Sequence, residues 1–160
     1  MAFFGSQLQS ALLPSYLEEL GECAFQNSAL KTIRFPKKIT KMGGRILTGC
    51  PFDNAKIVFA EEQEILTRSV FWYTSGINEI YLPSVTRVMR DAFSIIGHGA
   101  LNNRLKIFFQ QKNVIFDTWA FESSAKEDLN LIIELHFPKG AKPTFRENAL
   151  FDIKRQLELH

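Results

Sequence analysis

Cysteine and histidine are the residues of this chain best suited to chemistry, because they can act as nucleophiles, bases or metal ligands. Cys23 and Cys50 form neither a Cys-x-x-Cys pair nor a zinc-ligand spacing, and neither has a histidine nearby in sequence to act as its base. His98 lies in the glycine-flanked segment IIGHGALNNR, where it is either a ligand or a solvated loop histidine. GxSxG, HExxH and P-loop motifs are absent. The sequence therefore predicts no enzymatic activity, no cofactor and no metal site.

Overall charge gives no indication of a polyanionic partner. The 160 residues include 19 Lys and Arg against 17 Asp and Glu, a net charge of +2, which is too balanced to indicate a nucleic-acid or membrane surface. Apolar runs of about 18 residues, which a membrane span needs, are also missing. The opening MAFFGSQLQSALLP lacks the basic and long apolar regions of a signal peptide. We therefore expect no nucleic-acid partner and no membrane insertion. These features do not assign the protein to a cellular compartment.

An internal repeat organises the chain. The segments LKTIRFP and INEIYLP both carry apolar residues at their first, fourth and sixth positions and then a proline, which is typical of a short strand with one buried face. Equivalent positions close six such segments, at steps of 22, 24, 23, 27 and 28 residues. These markers are Pro14, Pro36, Ala60, Pro83, Gln110 and Pro138. A small-large apolar pair follows each marker by 10 to 12 residues and ends at Phe25, Leu47, Phe71, Phe93, Phe121 and Leu150.

A unit of this size cannot bury its own apolar face, so the units must stack with their strands parallel in one sheet. We therefore expect a single domain over residues 1–160, a right-handed curved solenoid with one strand per repeat and short helical or irregular returns. The repeats span 14–35, 36–59, 60–82, 83–109 and 110–137, with partial repeats at both ends. Eight phenylalanines on the repeat positions should form its core spine: Phe25, Phe35, Phe59, Phe71, Phe93, Phe109, Phe121 and Phe137.

The segments LPSYLEELGECAF, FPKKITKMGGRIL and LPSVTRVMRDAF resemble the BspA-type, or Treponema pallidum-type, leucine-rich repeat, whose unit runs roughly LxxIxLPxSvxxIgxxAFxxC. Ala60 and Gln110 depart from it by replacing the proline. The resemblance implies a leucine-rich-repeat solenoid without catalytic residues, and it makes Cys50 structural. It also implies a binding or adhesion module for a protein or glycan, on a secreted or cell-surface protein. The alternative is a spacer or assembly element of a larger surface protein, with no ligand of its own.

The repeat register places two columns of side chains on the outward strand face. The first column, Thr32, Lys56, Glu79, Lys106 and Glu134, alternates in charge from Lys56 onward. The second column runs Leu12, Arg34, Val58, Tyr81, Phe108 and His136, and its last four members are apolar or aromatic. Such residues are typical interface anchors. We therefore predict Val58, Tyr81, Phe108 and His136 as the ligand-binding site, unless the insertion at 94–104 covers them.

Three further features depend on the same register. The basic run between Lys31 and Arg45 either binds an anion or pairs with the next repeat, and alignment of Lys37 and Lys38 with Glu61 and Glu62 favours pairing.

The insertions at 94–104 and 122–131 emerge on one edge of the solenoid. They are either functional loops or extra residues that the fold tolerates at that edge. The mid-repeat ends predict self-association through uncapped faces, although residues 147–160 could instead close the stack as a short amphipathic helix.

Overall fold

The protein is a parallel β-solenoid of about six turns. The computed structural model describes residues 1–96, 99–122, 131–150 and 157–160. In chain order, the strands are β1 (Ser10–Leu12), β2 (Glu19–Leu20), β3 (Thr32–Arg34), β4 (Lys41–Met42), β5 (Pro51–Val58), β6 (Ile65–Leu66), β7 (Ser75–Leu82), β8 (Arg87–Val88), β9 (Arg104–Phe109), β10 (Ile115–Phe116), β11 (Ile132–His136), β12 (Thr144–Phe145) and β13 (Leu157–Leu159). The two alternating strand sets confirm a solenoid with one marker strand per repeat.

The odd-numbered strands precede the markers and stack in parallel. β5, β7, β9, β11 and β13 form one five-stranded sheet, while β1 and β3 form a separate pair. The expectation of a single continuous sheet is therefore wrong at the step from β3 to β5. That step coincides with a bulge in β5, where the register against β7 shifts on either side of Ala55 and Asn54 adopts a φ of 46°.

The even-numbered strands form the second face of each turn. Each is two residues long, and its second residue points into the core, as Leu20, Met42 and Leu66 do. These strands also pair in parallel, in the orders β2-β4 and β6-β8-β10-β12. Within the ranges that the structure describes, the returns hold one helical segment, the 3-10 turn Leu101–Asn103, so they are largely irregular as expected.

The small-large apolar pairs form a third column, held by backbone hydrogen bonds between neighbouring turns. The N–H of Phe25 donates to the carbonyl oxygen of Ile46 at 3.0 Å, and the N–H of Phe71 donates to the carbonyl oxygen of Ala92 at 3.0 Å. The phenylalanine spine is confirmed, since seven of the eight predicted rings are buried and Phe137 packs against them partly buried. Phe71 is fully buried between Phe59 and Phe93, with ring centroids at 5.5 and 5.7 Å. Phe116, which the repeat pattern did not single out, joins the same core.

The two ends of the described chain continue the repeat. At the first turn Phe3 stacks on Phe25 at 5.2 Å, which places Ala2 and Phe3 in the apolar-pair column. At the other end, Leu157–Leu159 pairs in parallel with β11, so this part of the chain is not the short capping helix that was the alternative for residues 147–160. The chain there follows the 24-residue offset of the repeat, so it extends the sheet.

Candidate functional site

The outward side chains of neighbouring marker strands lie side by side, as the repeat register predicted. The paired residues are Val58 with Tyr81, Tyr81 with Phe108, and Phe108 with His136. Val58 is 49 % exposed, and the three rings are partly exposed. Leu12 and Arg34 continue the column only within the separate β1 and β3 pair. The part of the column on the five-stranded sheet is therefore the part that carries the aromatic side chains.

The rings of this column stack face to face. Ring centroids are 4.5 Å apart between Tyr81 and Phe108 and 4.6 Å apart between Phe108 and His136, with interplanar angles of 11° and 22°. A fourth ring extends the stack, because His160 lies 4.7 Å from His136 at an angle of 13°. These separations match the spacing of hydrogen-bonded strands, about 4.7–4.9 Å, so the sheet itself sets the stack. We refer to Tyr81, Phe108, His136 and His160 as the aromatic ridge.

Charged side chains of the first outward column fix the Tyr81 end of the ridge. The Tyr81 hydroxyl donates to Glu79 Oε2 at 3.0 Å, and Lys56 Nζ lies 3.8 Å from the same carboxylate oxygen. Lys56 Nζ also stands 4.2 Å above the centre of the Tyr81 ring, a cation–π contact. The first face of the stack is therefore covered by a lysine, and the phenol is held in place.

A denser polar cluster fixes the histidine end. Glu134 Oε1 accepts a hydrogen bond from Arg104 Nη1 at 2.6 Å, and Glu134 Oε2 lies 3.0 Å from His136 Nε2. The same Arg104 nitrogen donates to Glu158 Oε2 at 3.0 Å. Burial alone would raise the pKa of Glu134, but the hydrogen bonds from Arg104 and His136 outweigh it and lower that pKa. Glu134 is therefore a buried carboxylate kept in its charged form.

The insertion at 94–104 meets the sheet away from the ridge in its described part. The N–H of Leu101 donates to Asn78 Oδ1 at 2.7 Å, at a position three residues upstream of Tyr81. The rings stay partly exposed beside it. Residues 97 and 98, and with them the candidate ligand His98, lie outside the described residues, as does most of the insertion at 122–131.

The two cysteines and the basic run, which the sequence raised as candidates for chemistry or anion binding, have structural roles. Cys23 and Cys50 are both buried, and Cys50 Sγ lies 3.1 Å from the carbonyl oxygen of Phe25. Burial raises the pKa of the Cys50 thiol, so it is not an activated nucleophile. Lys37 pairs with Glu61 at 3.2 Å, which confirms that this part of the basic run pairs with the next repeat.

His160 and Glu158 are the members of this face that sequence reasoning missed. Both lie 24 residues after an outward residue of β11, Glu158 after Glu134 and His160 after His136. Extending the repeat by one more step would have found them.

Comparison with known proteins identifies one similarity. A family model described as a BspA type leucine rich repeat region matches residues 1–128 in six copies. No curated protein and no solved structure matches the chain. Across the described ranges, no helix has the length and apolar character that a membrane crossing needs.

Proposed function

The chain belongs to the BspA-type leucine-rich repeat family, whose solenoids are typically non-enzymatic repeat modules of protein interaction, and from this we propose that it binds a protein partner along the aromatic ridge. The observation that carries the proposal is the continuous stack from Tyr81 to His160, which leaves ring edges open to solvent beside charged side chains. A partly exposed aromatic surface of this kind is typical of an interface anchor. The ligand site consists of Val58, Tyr81, Phe108 and His136, now extended by His160.

The stacking favours a protein over a glycan. A sugar ring binds an aromatic side chain through the open face of that ring, but within the stack both faces of Phe108 and of His136 are covered by neighbours at 4.5 to 4.7 Å. Lys56 covers the free face of Tyr81. What the ridge offers is a row of ring edges and polar tips, which suits apolar and hydrogen-bonding side chains of a protein.

Hydrogen bonds within the chain also hold two side chains of the ridge in place. Glu79 holds the hydroxyl of Tyr81 and Glu134 holds the ring nitrogen of His136, each at 3.0 Å. Ordering exposed side chains costs about 0.5–1.5 kcal/mol per side chain on binding, and a surface that is already ordered avoids that cost. A spacer without a ligand has no need for an ordered aromatic surface, so this order favours binding over the spacer alternative.

The test begins with selection of peptides from a random phage-displayed library against the immobilised chain. Affinities of the selected synthetic peptides are then measured for wild type, Tyr81→Ala and Phe108→Ala. We expect each substitution to weaken binding by at least about tenfold, because hot-spot aromatics contribute about 2 kcal/mol or more. Tyr16→Ala, at an exposed tyrosine outside the ridge, is the matched control and should bind as wild type does.

Two results would contradict the proposal. Unchanged affinity in both ridge variants would place the binding surface elsewhere on the solenoid. A parallel glycan array that gives saturable binding, lost in Tyr81→Ala, would assign the ridge to a sugar. Because Tyr81→Ala also removes a stacked pair worth about 0.5–1.5 kcal/mol, melting curves must show that each variant is folded at the assay temperature.

A further inference from the structure

Glu134, His136 and His160 place three potential metal ligands at one end of the aromatic ridge. Their ligand atoms, one carboxylate oxygen and two imidazole nitrogens, all lie within 4.8 Å of one another. Glu134 Oε2 is 3.0 Å from His136 Nε2 and 3.9 Å from His160 Nε2. Both imidazoles therefore point their Nε2 atoms toward the same carboxylate oxygen.

The distances suit a single small cation. A tetrahedral zinc ion with bonds of about 2.0–2.2 Å has ligand atoms about 3.4 Å apart, between the two separations measured from Glu134 Oε2. The imidazole tips have to approach each other by about 1.4 Å at most to share one ion, since no pair of these atoms is more than 4.8 Å apart. Glu158 is not part of this group, because its Oε2, 3.5 Å from His160 Nε2, accepts a hydrogen bond from Arg104 at 3.0 Å.

The backbone and the surrounding charges hold these ligands in position. The backbone N–H of His160 donates to the carbonyl oxygen of Leu135 at 2.9 Å, and the backbone N–H of Phe137 donates to the carbonyl oxygen of His160 at 2.9 Å. This pairing keeps the imidazoles of His136 and His160 side by side. Arg104 binds the far oxygen of Glu134 at 2.6 Å and leaves Oε2 facing the imidazoles. A partner that orients a carboxylate in this way is typical of the surroundings of metal ligands.

The charge and the donor types define the ion. The carboxylates of Glu134 and Glu158 are balanced by Arg104 and by Lys106, the strand partner of Glu134, so the cluster carries no net charge that would repel a cation when both imidazoles are neutral. Imidazole nitrogens with carboxylate oxygens suit zinc and neighbouring transition metals, whereas magnesium and calcium prefer all-oxygen sites. We propose that Glu134, His136 and His160 bind one divalent transition-metal ion of the zinc class, which joins strand β11 to the residue that follows β13.

The experiment titrates Zn²⁺ into metal-stripped protein by calorimetry and compares wild type with His136→Phe and His160→Phe. A phenylalanine keeps a ring in the ridge but cannot bind metal, so it separates ligation from stacking. We expect saturable binding of one ion by wild type and at least about tenfold weaker binding by each variant, because each loses one of the ligands. The melting temperature of wild type should rise when Zn²⁺ is added, and that of the variants should not.

His98→Phe, at the remaining histidine of the chain, is the matched control and should bind Zn²⁺ as wild type does. Co²⁺ in place of Zn²⁺ should give the visible absorption of a four-coordinate nitrogen and oxygen site, and Ca²⁺ should not compete. Absence of saturable Zn²⁺ binding by wild type would overturn the proposal. Equal affinity in wild type and both ridge variants, or loss of binding in His98→Phe alone, would overturn it as well.

Discussion

At the scale of single residues, the most regular feature is a left-handed backbone position just before each small-large apolar pair. Six non-glycine residues occupy it with φ between 55° and 59°: Cys23, Arg45, Ser69, Asp91, Trp119 and Asn148. L-residues pay roughly 1–2 kcal/mol for this conformation, and asparagine pays least. The hydrogen bonds of the apolar-pair column hold the backbone there despite the cost, and they begin at this position, since the N–H of Asp91, for example, donates to the carbonyl oxygen of Trp119 at 2.9 Å.

Asn148 offers the cleanest test of this position, because its side chain is exposed and its φ is 56°. Asn148→Val should lower the free energy of unfolding by about 1–2 kcal/mol, since a β-branched side chain is strongly disfavoured at positive φ. Asn148→Gly should be neutral or slightly stabilising. Urea denaturation measures both, with Glu147→Val as the control at the exposed neighbouring residue. Equal losses at positions 147 and 148 would show that backbone strain is not the cause.

This residue-scale feature could not be predicted from the sequence. The six residues share neither size nor charge, and none is the glycine that usually marks a positive φ. The outward register of Tyr81, Phe108 and His136 was predictable because side chains alternate strictly along a strand. The stacking of their rings follows from that register and the strand spacing. Its continuation to His160 required recognising one more strand.

At the scale of elements, Arg104 joins three strands. It lies on β9 and its Nη1 reaches Glu134 on β11 and Glu158 on β13, at 2.6 and 3.0 Å. Since Glu134 is buried, its charge depends on this contact and on the hydrogen bond from His136. While Glu134 is charged, this polar cluster therefore links the edge strand β13 to the central strand β9.

The lowered pKa of Glu134 makes part of the stability dependent on pH. A carboxyl whose pKa is lower in the folded chain contributes stability above its unfolded value, about 4.3, and loses it as the pH falls through the folded value. Unfolding free energies measured from pH 6 down to pH 3, with a chelator present, should therefore fall less steeply in Glu134→Gln than in wild type. Glu147→Gln, at an exposed site, is the control. If the unfolding free energy of Glu134→Gln fell with pH as steeply as that of wild type, this role of Glu134 would be refuted.

The marker strands were predictable as elements, and their partners on the second face were not. Alternation in segments such as Thr32–Phe35 predicts a strand with Ile33 and Phe35 inward, which the structure confirms. The even-numbered strands are two residues long, too short for any alternation to be visible in the sequence. The terminal strand β13 was not predicted, because its repeat partner Ile132–His136 was not used to set its register.

At the scale of the whole molecule, the first turn presents apolar side chains to solvent. Met1, Phe3, Leu8 and Leu12 are exposed there, Leu12 at 83 %, and β1 pairs with β3 along one edge. Leu8 is 37 % exposed and has a neighbouring turn on one side within the described chain. An open strand edge with apolar neighbours favours pairing with a second copy of the chain.

We therefore predict that this polypeptide associates with itself through the first turn. Sedimentation velocity over a wide concentration range should show association for wild type and a marked reduction for the double variant Leu8→Lys and Leu12→Lys, because charges oppose edge pairing. Leu101→Lys, at a leucine that is 61 % exposed on the far insertion, should associate as wild type does. A wild-type monomer at every concentration would rule out this surface.

The break in the sheet between β3 and β5 has a consequence for cooperativity. Because hydrogen bonds and spine contacts join adjacent turns, the stability of such a stack is a sum of nearest-neighbour couplings, and its weakest coupling decides where it separates. The turns before Pro51 are joined to the rest mainly by the apolar-pair column and the spine rather than by a continuous ladder. Amide hydrogens of that first segment should exchange through a partial opening at lower free energy than those of β7 and β9, so the protein unfolds as two units of unequal stability.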